Sequence, residues 1–224
     1  LLSLDAVPDT LAIIGGGVIG MEFASIFASL GSKVTVIEYF KEVLPQFDKD
    51  IAKRLRQSMA SSGVTFVTGA QVTSIEPGKV SYQSGSKEGS VEASVIAMAV
   101  GRRPNLPEGL DLAGVTVERG AIVVDPSTMR TSAHGIYAIG DVNVICMLAH
   151  AASAQARIVA GEKVVTDVVP SVVFTAPEAA MVGKTEQQCK DAGMAVKVAK
   201  VPFRGNGKAV TIGETDGLVK LIAN

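Results

Sequence analysis

Apolar positions follow two rhythms along this chain, and the first hundred residues switch between them. Leu11-Ala12-Ile13-Ile14 is an unbroken apolar run ending in glycines, the pattern of a buried parallel strand. Residues 18–30 then carry Ile19, Phe23, Ile26, Phe27 and Leu30 at helical spacing, and Gly31 stands where a left-handed C-terminal cap belongs. Residues 33–38 form the next strand, so the three elements predict a βαβ unit. A second helix is predicted over 48–61, opened by an acidic residue and closed near Gly63, with a strand at 64–67 behind it. Strands are predicted at 71–76, 79–83 and 91–100, with 77–90 a meander whose Ser/Gly tip is flexible.

Beyond Pro107 the rhythm shortens. Brief strands are expected at 115–117 and 122–124, then a strand over 131–141 that runs into Gly140-Asp141, then a small-residue helix over 149–160. After Pro170 come a strand at 172–175, a helix at 185–192 and two more strand candidates. The expected fold class is α/β: a Rossmann-like dinucleotide-binding domain with a β-meander over 1–107, a central region over 108–169, and the start of an α+β domain over 170–224.

The glycines that close the first strand carry the chemistry. In Gly15-Gly16-Gly17-Val18-Ile19-Gly20, Gly15 permits a tight turn, Gly17 lets the backbone approach a pyrophosphate, and Gly20 lets helix and strand pack closely. The pyrophosphate would rest on unpaired amides at the helix N-terminus, where the backbone dipole favours negative charge. This spacing alone is a weak signal. Here it follows an apolar strand, opens a helix, and is answered by Glu38 at the end of the next strand. The Glu38 carboxylate can accept from both adenosine ribose hydroxyls. A 2′-phosphate beside it would meet repulsion of about 1 kcal/mol in water and ~4 kcal/mol at intermediate dielectric. No arginine follows Glu38 to grip such a phosphate, so the cofactor read here is NAD.

Bulk properties exclude some partners. A net charge of −1 supplies no attraction to nucleic acid or to an anionic membrane surface. No apolar run approaches the ~18 residues of a membrane span. Two cysteines, Cys146 and Cys189, cannot make a secreted-type disulfide framework, which makes a reducing cytoplasmic setting the expectation. The chain opens at Leu1 without an initiator Met and stops on a strand barely finished, so it reads as a piece of a longer polypeptide.

A second signature joins the first. Thr131-Ser132-Ala133-His134-Gly135-Ile136-Tyr137-Ala138-Ile139-Gly140-Asp141 resembles the flavin site of the two-dinucleotide flavoprotein disulfide reductases. Met147-Leu148-Ala149-His150 resembles the flavin-ring segment of the dihydrolipoamide dehydrogenases among them. Pro170-Ser171-Val172-Val173-Phe174-Thr175-Ala176-Pro177-Glu178 and Val182-Gly183-Lys184-Thr185-Glu186 resemble the opening of that family's dimerisation domain. The resemblance runs essentially end to end.

It implies FAD as well as NAD, with Asp141 on the ribityl or phosphate portion of FAD and residues 147–150 against its ring. It implies that Glu22, after Ile19-Gly20-Met21, meets the nicotinamide carboxamide. It further implies that the Val72 backbone touches adenine and that Gly101 approaches the nicotinamide nucleotide. For a full-length protein it implies electron flow from a dihydrolipoyl dithiol through a redox disulfide and FAD to NAD. The implied partners are the lipoyl domain of a 2-oxoacid dehydrogenase or glycine-cleavage complex and a second identical subunit.

No catalytic residue is assigned within this chain, and no metal. The family's Cys-x-x-x-x-Cys pair is absent, and Cys146 and Cys189 lie on different elements. Cys146 is expected to be a small buried hydrophobe and Cys189 to sit on a surface-facing helix. Neither His134, a turn residue, nor His150 stands at the family's acid/base position. The fragment alone is therefore expected to be inactive. Mercuric and glutathione reductases, transhydrogenases and NADH oxidases share the frame, and a non-catalytic dinucleotide-binding module is the alternative of a different class.

Overall fold

A computed structural model describes residues 1–165 and 168–224. Its first hundred residues run β1 (Thr10–Ile14), α1 (Val18–Ser29), β2 (Lys33–Glu38), α2 (Lys49–Ser61), β3 (Thr65–Thr68), β4 (Gln71–Glu76), β5 (Lys79–Ser84), β6 (Lys87–Glu92) and β7 (Val95–Met98). Four of these strands form a parallel sheet in the order β3-β2-β1-β7, and β4-β5-β6 form an antiparallel meander between β3 and β7. The α/β class and the βαβ opening are as predicted.

Two readings of this region need correction. The strand expected over 91–100 is two strands in two sheets. Residues 91 and 92 pair with β5, while β7 pairs with β1. Between them Ser94 turns the chain, donating its N–H to Thr10 Oγ1 at 2.8 Å and its hydroxyl to Thr10 O at 2.8 Å. An apolar run records burial, not which sheet supplies it.

The second correction concerns the face of α1. Helical spacing puts Ile19, Ile26 and Leu30 on an apolar stripe with Phe23 and Phe27, yet these three are 40%, 49% and 57% exposed. The packed face carries Gly20, Met21, Ala24 and Phe27. Gly20 sets it, because a Cβ there would stand 2.0 Å from Gly15 O. The closest approach of helix to strand occurs where there is no side chain, and hydrophobic spacing is blind to that.

Residues 102–170 hold β8 (Val117–Glu118), β9 (Ala121–Ile122) and α3 (Ala149–Val159) around a small core of Val115, Ile122 and Ala138. The strand expected over 131–141 is not formed. Ile136 N donates to Ala133 O in a tight turn through Gly135 (φ 77°), only Tyr137 bridges back to Arg130, and Gly140–Asn143 is a 3₁₀ turn. The residues fold back on themselves, so no partner strand is left to complete a ladder.

The last segment runs β10 (Ser171–Val173), β11 (Ala179–Met181), α4 (Glu186–Asp191), β12 (Lys197–Pro202), α5 (Gly207–Ile212) and β13 (Leu218–Ala223). Thr185 caps α4 in a reciprocal box with Gln188. Cys189, expected at the surface, is the buried residue of α4 and is 3% exposed. A six-residue helix has one inward position per turn, and here the thiol takes it. Cys146 is half-buried rather than buried.

The chain divides into two compact units, one of Leu1–Gly101 with Ser171–Asn224 and the other of Arg102–Pro170. In the first, Val173 and Ala179 join the core built on Leu11, Ile13, Met21 and Phe27.

Candidate functional site

The carboxyl ends of β1, β2, β3 and β7 gather one set of predicted residues, as open parallel sheets do at their ligand crevices. Gly15 adopts φ 105°, and a Cβ on it would lie 2.4 Å from Ala99 O, so the turn admits only glycine. Gly101, at the far end of the same crossover, has φ 115°. Gly17 is the cap of α1, and a Cβ there would meet nothing within 4 Å. No side chain caps the helix, and its first turn carries no acid. The first bond into the helix is Met21 N to Gly17 O at 2.9 Å. The amides of Val18, Ile19 and Gly20 therefore open the helix without a side-chain acceptor, an arrangement that can receive an anion.

Glu38 is 6% exposed and closes the other side of the turn. Its Oε2 accepts from Gly16 N at 2.5 Å, and its Oε1 accepts from Phe40 N at 2.7 Å. A carboxylate has about four acceptor sites, so two remain after these bonds, enough for a vicinal diol. The following corner is tied to the same place, with Gly69 N donating to Phe40 O and Ala70 N to Glu38 O. Val72 follows on β4, half-buried, just before a register shift. The residues thus fit a dinucleotide: an open backbone cradle, a diol acceptor and an adjacent corner.

The loop 39–47 completes the cradle, and the sequence reading did not single it out. Leu44, at φ 50°, donates its N–H to Gly16 O at 2.8 Å. Val43 is fully buried, and its Cγ1 stands 2.9 Å from where a Gly16 Cβ would be. Glu42 grips Arg56 of α2 with both oxygens, at 2.6 and 3.0 Å, which raises the Arg56 pKa. Glu22 lies one turn into α1. Its Oε1 accepts from Phe174 N at 3.0 Å, while Ser25 Oγ accepts from Ala176 N at 2.9 Å. A cavity of about 210 Å³ lined by Arg54, Leu55, Phe203 and Asp216 touches none of the predicted residues.

In the second unit the predicted residues share one segment. Asp141 is exposed in the 3₁₀ turn, Met147 and Leu148 are half-buried, and Ala149 and His150 open α3 behind a Leu148 cap that offers no side-chain acceptor. His150 Nε2 lies 2.7 Å from Pro170 O. Burial and then the Asp141 charge push the Cys146 thiol pKa up.

Sequence reasoning missed what holds this segment. Gln155 Oε1 accepts from Gly140 N at 2.7 Å and from Asn143 Nδ2 at 2.9 Å, and Asn143 Nδ2 also reaches Ala138 O at 3.1 Å. Gln155 is one of four polar residues in a small-residue helix, with His150, Ser153 and Arg157, and nothing in the sequence marks it as the buried one. Arg102 and Arg103 were not singled out from the sequence, yet with Asn105, Asp141 and Val142 they line an open cleft of about 510 Å³.

Residues 1–156 match the family described as pyridine nucleotide-disulphide oxidoreductase, and residues 169–224 match the dimerisation domain of that family. The chain belongs to the pyridine nucleotide-disulphide oxidoreductases. Membership implies a flavin and a pyridine nucleotide. The dihydrolipoyl dehydrogenase of Staphylococcus aureus is 41% identical over 99% of this chain and 50% of its own length. That of Chlamydia muridarum is 42% identical over 100% of this chain and 50% of its own. Among solved structures, LpdA from Mycobacterium tuberculosis superposes with a TM-score of 0.87 at 34% identity, covering 100% of this chain and 51% of that one. The HOCl-induced flavoprotein disulfide reductase RclA from Escherichia coli gives 0.84 at 33% identity, covering 100% and 53%. The chain spans about half the length of the curated relatives it matches. Among the described residues, no helix is long and apolar enough to cross a membrane.

Proposed function

We propose that this chain supplies the NAD-binding part, and part of the FAD-contacting surface, of a cytoplasmic dihydrolipoamide dehydrogenase. The observation that carries this reading is the uncapped glycine turn, open at Gly17, with the buried Glu38 carboxylate on Gly16 N beside it. Gly15, Gly16, Gly17, Val18, Ile19 and Gly20 cradle the pyrophosphate through backbone amides. Glu38 holds the adenosine ribose and disfavours a 2′-phosphate, Val72 borders adenine, and Met21 seats α1 so that Glu22 can reach the carboxamide. Gly101 leaves room for the nicotinamide nucleotide. Asp141 and residues Met147, Leu148, Ala149 and His150 contact FAD.

When bound, the two cofactors would supply hydride-transfer chemistry, and the protein's part here is to bind and orient them. The dithiol substrate is dihydrolipoamide on a lipoyl domain of a 2-oxoacid dehydrogenase or glycine-cleavage complex, and the working form is a homodimer. The 41% and 42% identities to dihydrolipoyl dehydrogenases support that choice. The 33% identity to RclA supports a second reading, a reductase of the same family acting on another substrate.

Calorimetric titration of the 224-residue chain with NADH and NADPH tests the site. NADH should bind more tightly, and Glu38→Ala should weaken NADH roughly tenfold. Unaltered NADH affinity in that variant would remove the ribose assignment. Turnover of a full-length protein with dihydrolipoamide, glutathione disulfide and mercuric ion sorts the substrate.

A further inference from the structure

Away from the glycine turn, charge concentrates where the 171–224 segment meets α2. Lys220 on β13 has a side chain only 5% exposed. Its ammonium lies 2.9 and 2.8 Å from the two Asp48 oxygens, 2.6 Å from Asp50 Oδ2 and 2.8 Å from Glu186 Oε2. Burial works against this charge, but the three carboxylates outweigh it and raise the Lys220 pKa. Lys190 and then Lys220 hold Glu186 down to about 2.

Asp48 has more than one bond to keep. It caps α2 by accepting from Asp50 N at 3.0 Å, it takes the Lys220 ammonium, and its Oδ2 accepts from Glu186 N at 3.3 Å. It also directly follows Phe47, the last residue of the loop that arches over Gly16. Phe47 is buried and donates its N–H to Leu44 O, and Leu44 in turn donates to Gly16 O. The front of the loop is fastened by Phe40 N on Glu38. The loop is therefore pinned at the ribose-side carboxylate and at the Lys220 cluster.

We infer that Lys220 is a positioning residue for the nucleotide site: by locking Asp48 it keeps loop 39–47 in the form that frames Gly16 and Glu38. Seating of the 171–224 segment and nucleotide binding then favour one another, because a coupling between two sites is reciprocal. Removing the ammonium leaves Asp50 with Lys200 at 2.8 Å and Glu186 with Lys190 at 2.7 Å, but it strips the buried Asp48 carboxylate of its cation, and an uncompensated buried charge relaxes by opening its surroundings. The group left without a cation is Asp48, and its displacement moves the end of the loop. This inference rests on the dinucleotide reading above.

The test is NADH calorimetry together with amide hydrogen exchange on the 224-residue chain and on Lys220→Met, Asp48→Asn and Glu186→Gln. Lys220→Met should weaken NADH roughly tenfold and the other two by roughly fivefold, within the usual range of coupling between sites. Exchange should quicken over residues 39–47 while β1 and the middle of α1 keep their protection. NADH affinities within twofold of the unaltered chain in the folded variants overturn the inference. So does exchange that rises equally through β1 and α1, since that marks a general loss of stability. If Lys220→Met does not fold, Asp48→Asn and Glu186→Gln decide on the same criteria. If the unaltered chain does not bind NADH, the dinucleotide reading fails, and exchange over 39–47 alone decides whether Lys220 holds the loop.

Discussion

The two glycine-bearing segments of this chain are built in opposite ways. The turn at Gly15–Gly20 is held by atoms close to it: Ala99 O forbids a side chain at Gly15, Gly15 O forbids one at Gly20, and Glu38 takes the Gly16 amide. The turn at Gly140-Asp141 is held from nine and fifteen residues away, by Met129 O on Ala138 N and by Gln155 on Gly140 N. Its conspicuous residue, Asp141, is exposed, whereas Asn143 and Gln155 are buried. A motif that names a site need not contain the residues that shape it. In the first turn the same glycines do both; in the second the work is divided.

The largest effect should come from asking which glycines serve the fold. Gly20→Ala drives a methyl against backbone, which has no flexible end to move aside. It should cost about 3 kcal/mol or more in chemical denaturation, the upper part of the range for overpacked sites. Gly17→Ala places its methyl in open space at an ordinary φ of −73°. It should cost under about 1 kcal/mol, the difference between glycine and alanine as a helix cap, while weakening NADH roughly tenfold or more. Equal losses of stability in the two variants would erase the distinction between packing glycine and binding glycine.

The next effect tests the other side of the comparison. Gln155→Leu keeps the volume of the side chain but leaves Gly140 N and one Asn143 N–H without their acceptor. A buried donor stranded in this way costs about 1–3 kcal/mol. Val144 makes the segment more sensitive. It sits at φ 49°, unusual for a β-branched residue, and Asn143 Oδ1 holds the next amide, that of Ile145. Amide exchange over residues 138–146 should quicken while the β8–β9 hairpin stays protected. If the 138–146 amides exchange as before, the segment is held by something other than Gln155.

What could be read from the sequence follows from the same contrast. The βαβ unit, the positions of β2 and β4 and the capped start of α2 were legible because each depends on neighbours a few residues away, and the glycine turn because its missing side chains are themselves the signal. The kink at Ser94, the turn through Gly135 and the burial of Cys189 were not. Thr10, far along the chain, decides the first, whereas the Gly135 turn closes locally on the bond from Ile136 N to Ala133 O, which hydrophobic spacing does not signal. Lys220 was equally hidden: a lone lysine in an alternating strand reads as a solvent-facing residue, and only the arrival of Asp48, Asp50 and Glu186 makes it otherwise.

The smallest expected effect bears on the helix that the first turn opens. Hydrophobic spacing chose the stripe of Ile19, Ile26 and Leu30, while close packing chose Gly20, Met21, Ala24 and Phe27. Ile26→Gln separates these choices. The isoleucine is 49% exposed, so the variant gives up little buried apolar surface, and glutamine forms helix at least as readily as isoleucine. The change in unfolding free energy should stay within about 0.5 kcal/mol, as for surface substitutions elsewhere. NADH affinity should hold as well, because the residue lies two turns past the open amides. A loss above about 1 kcal/mol would mean that the stripe is covered in solution, and that two faces of α1, not one, fix the direction from which its amides meet a ligand.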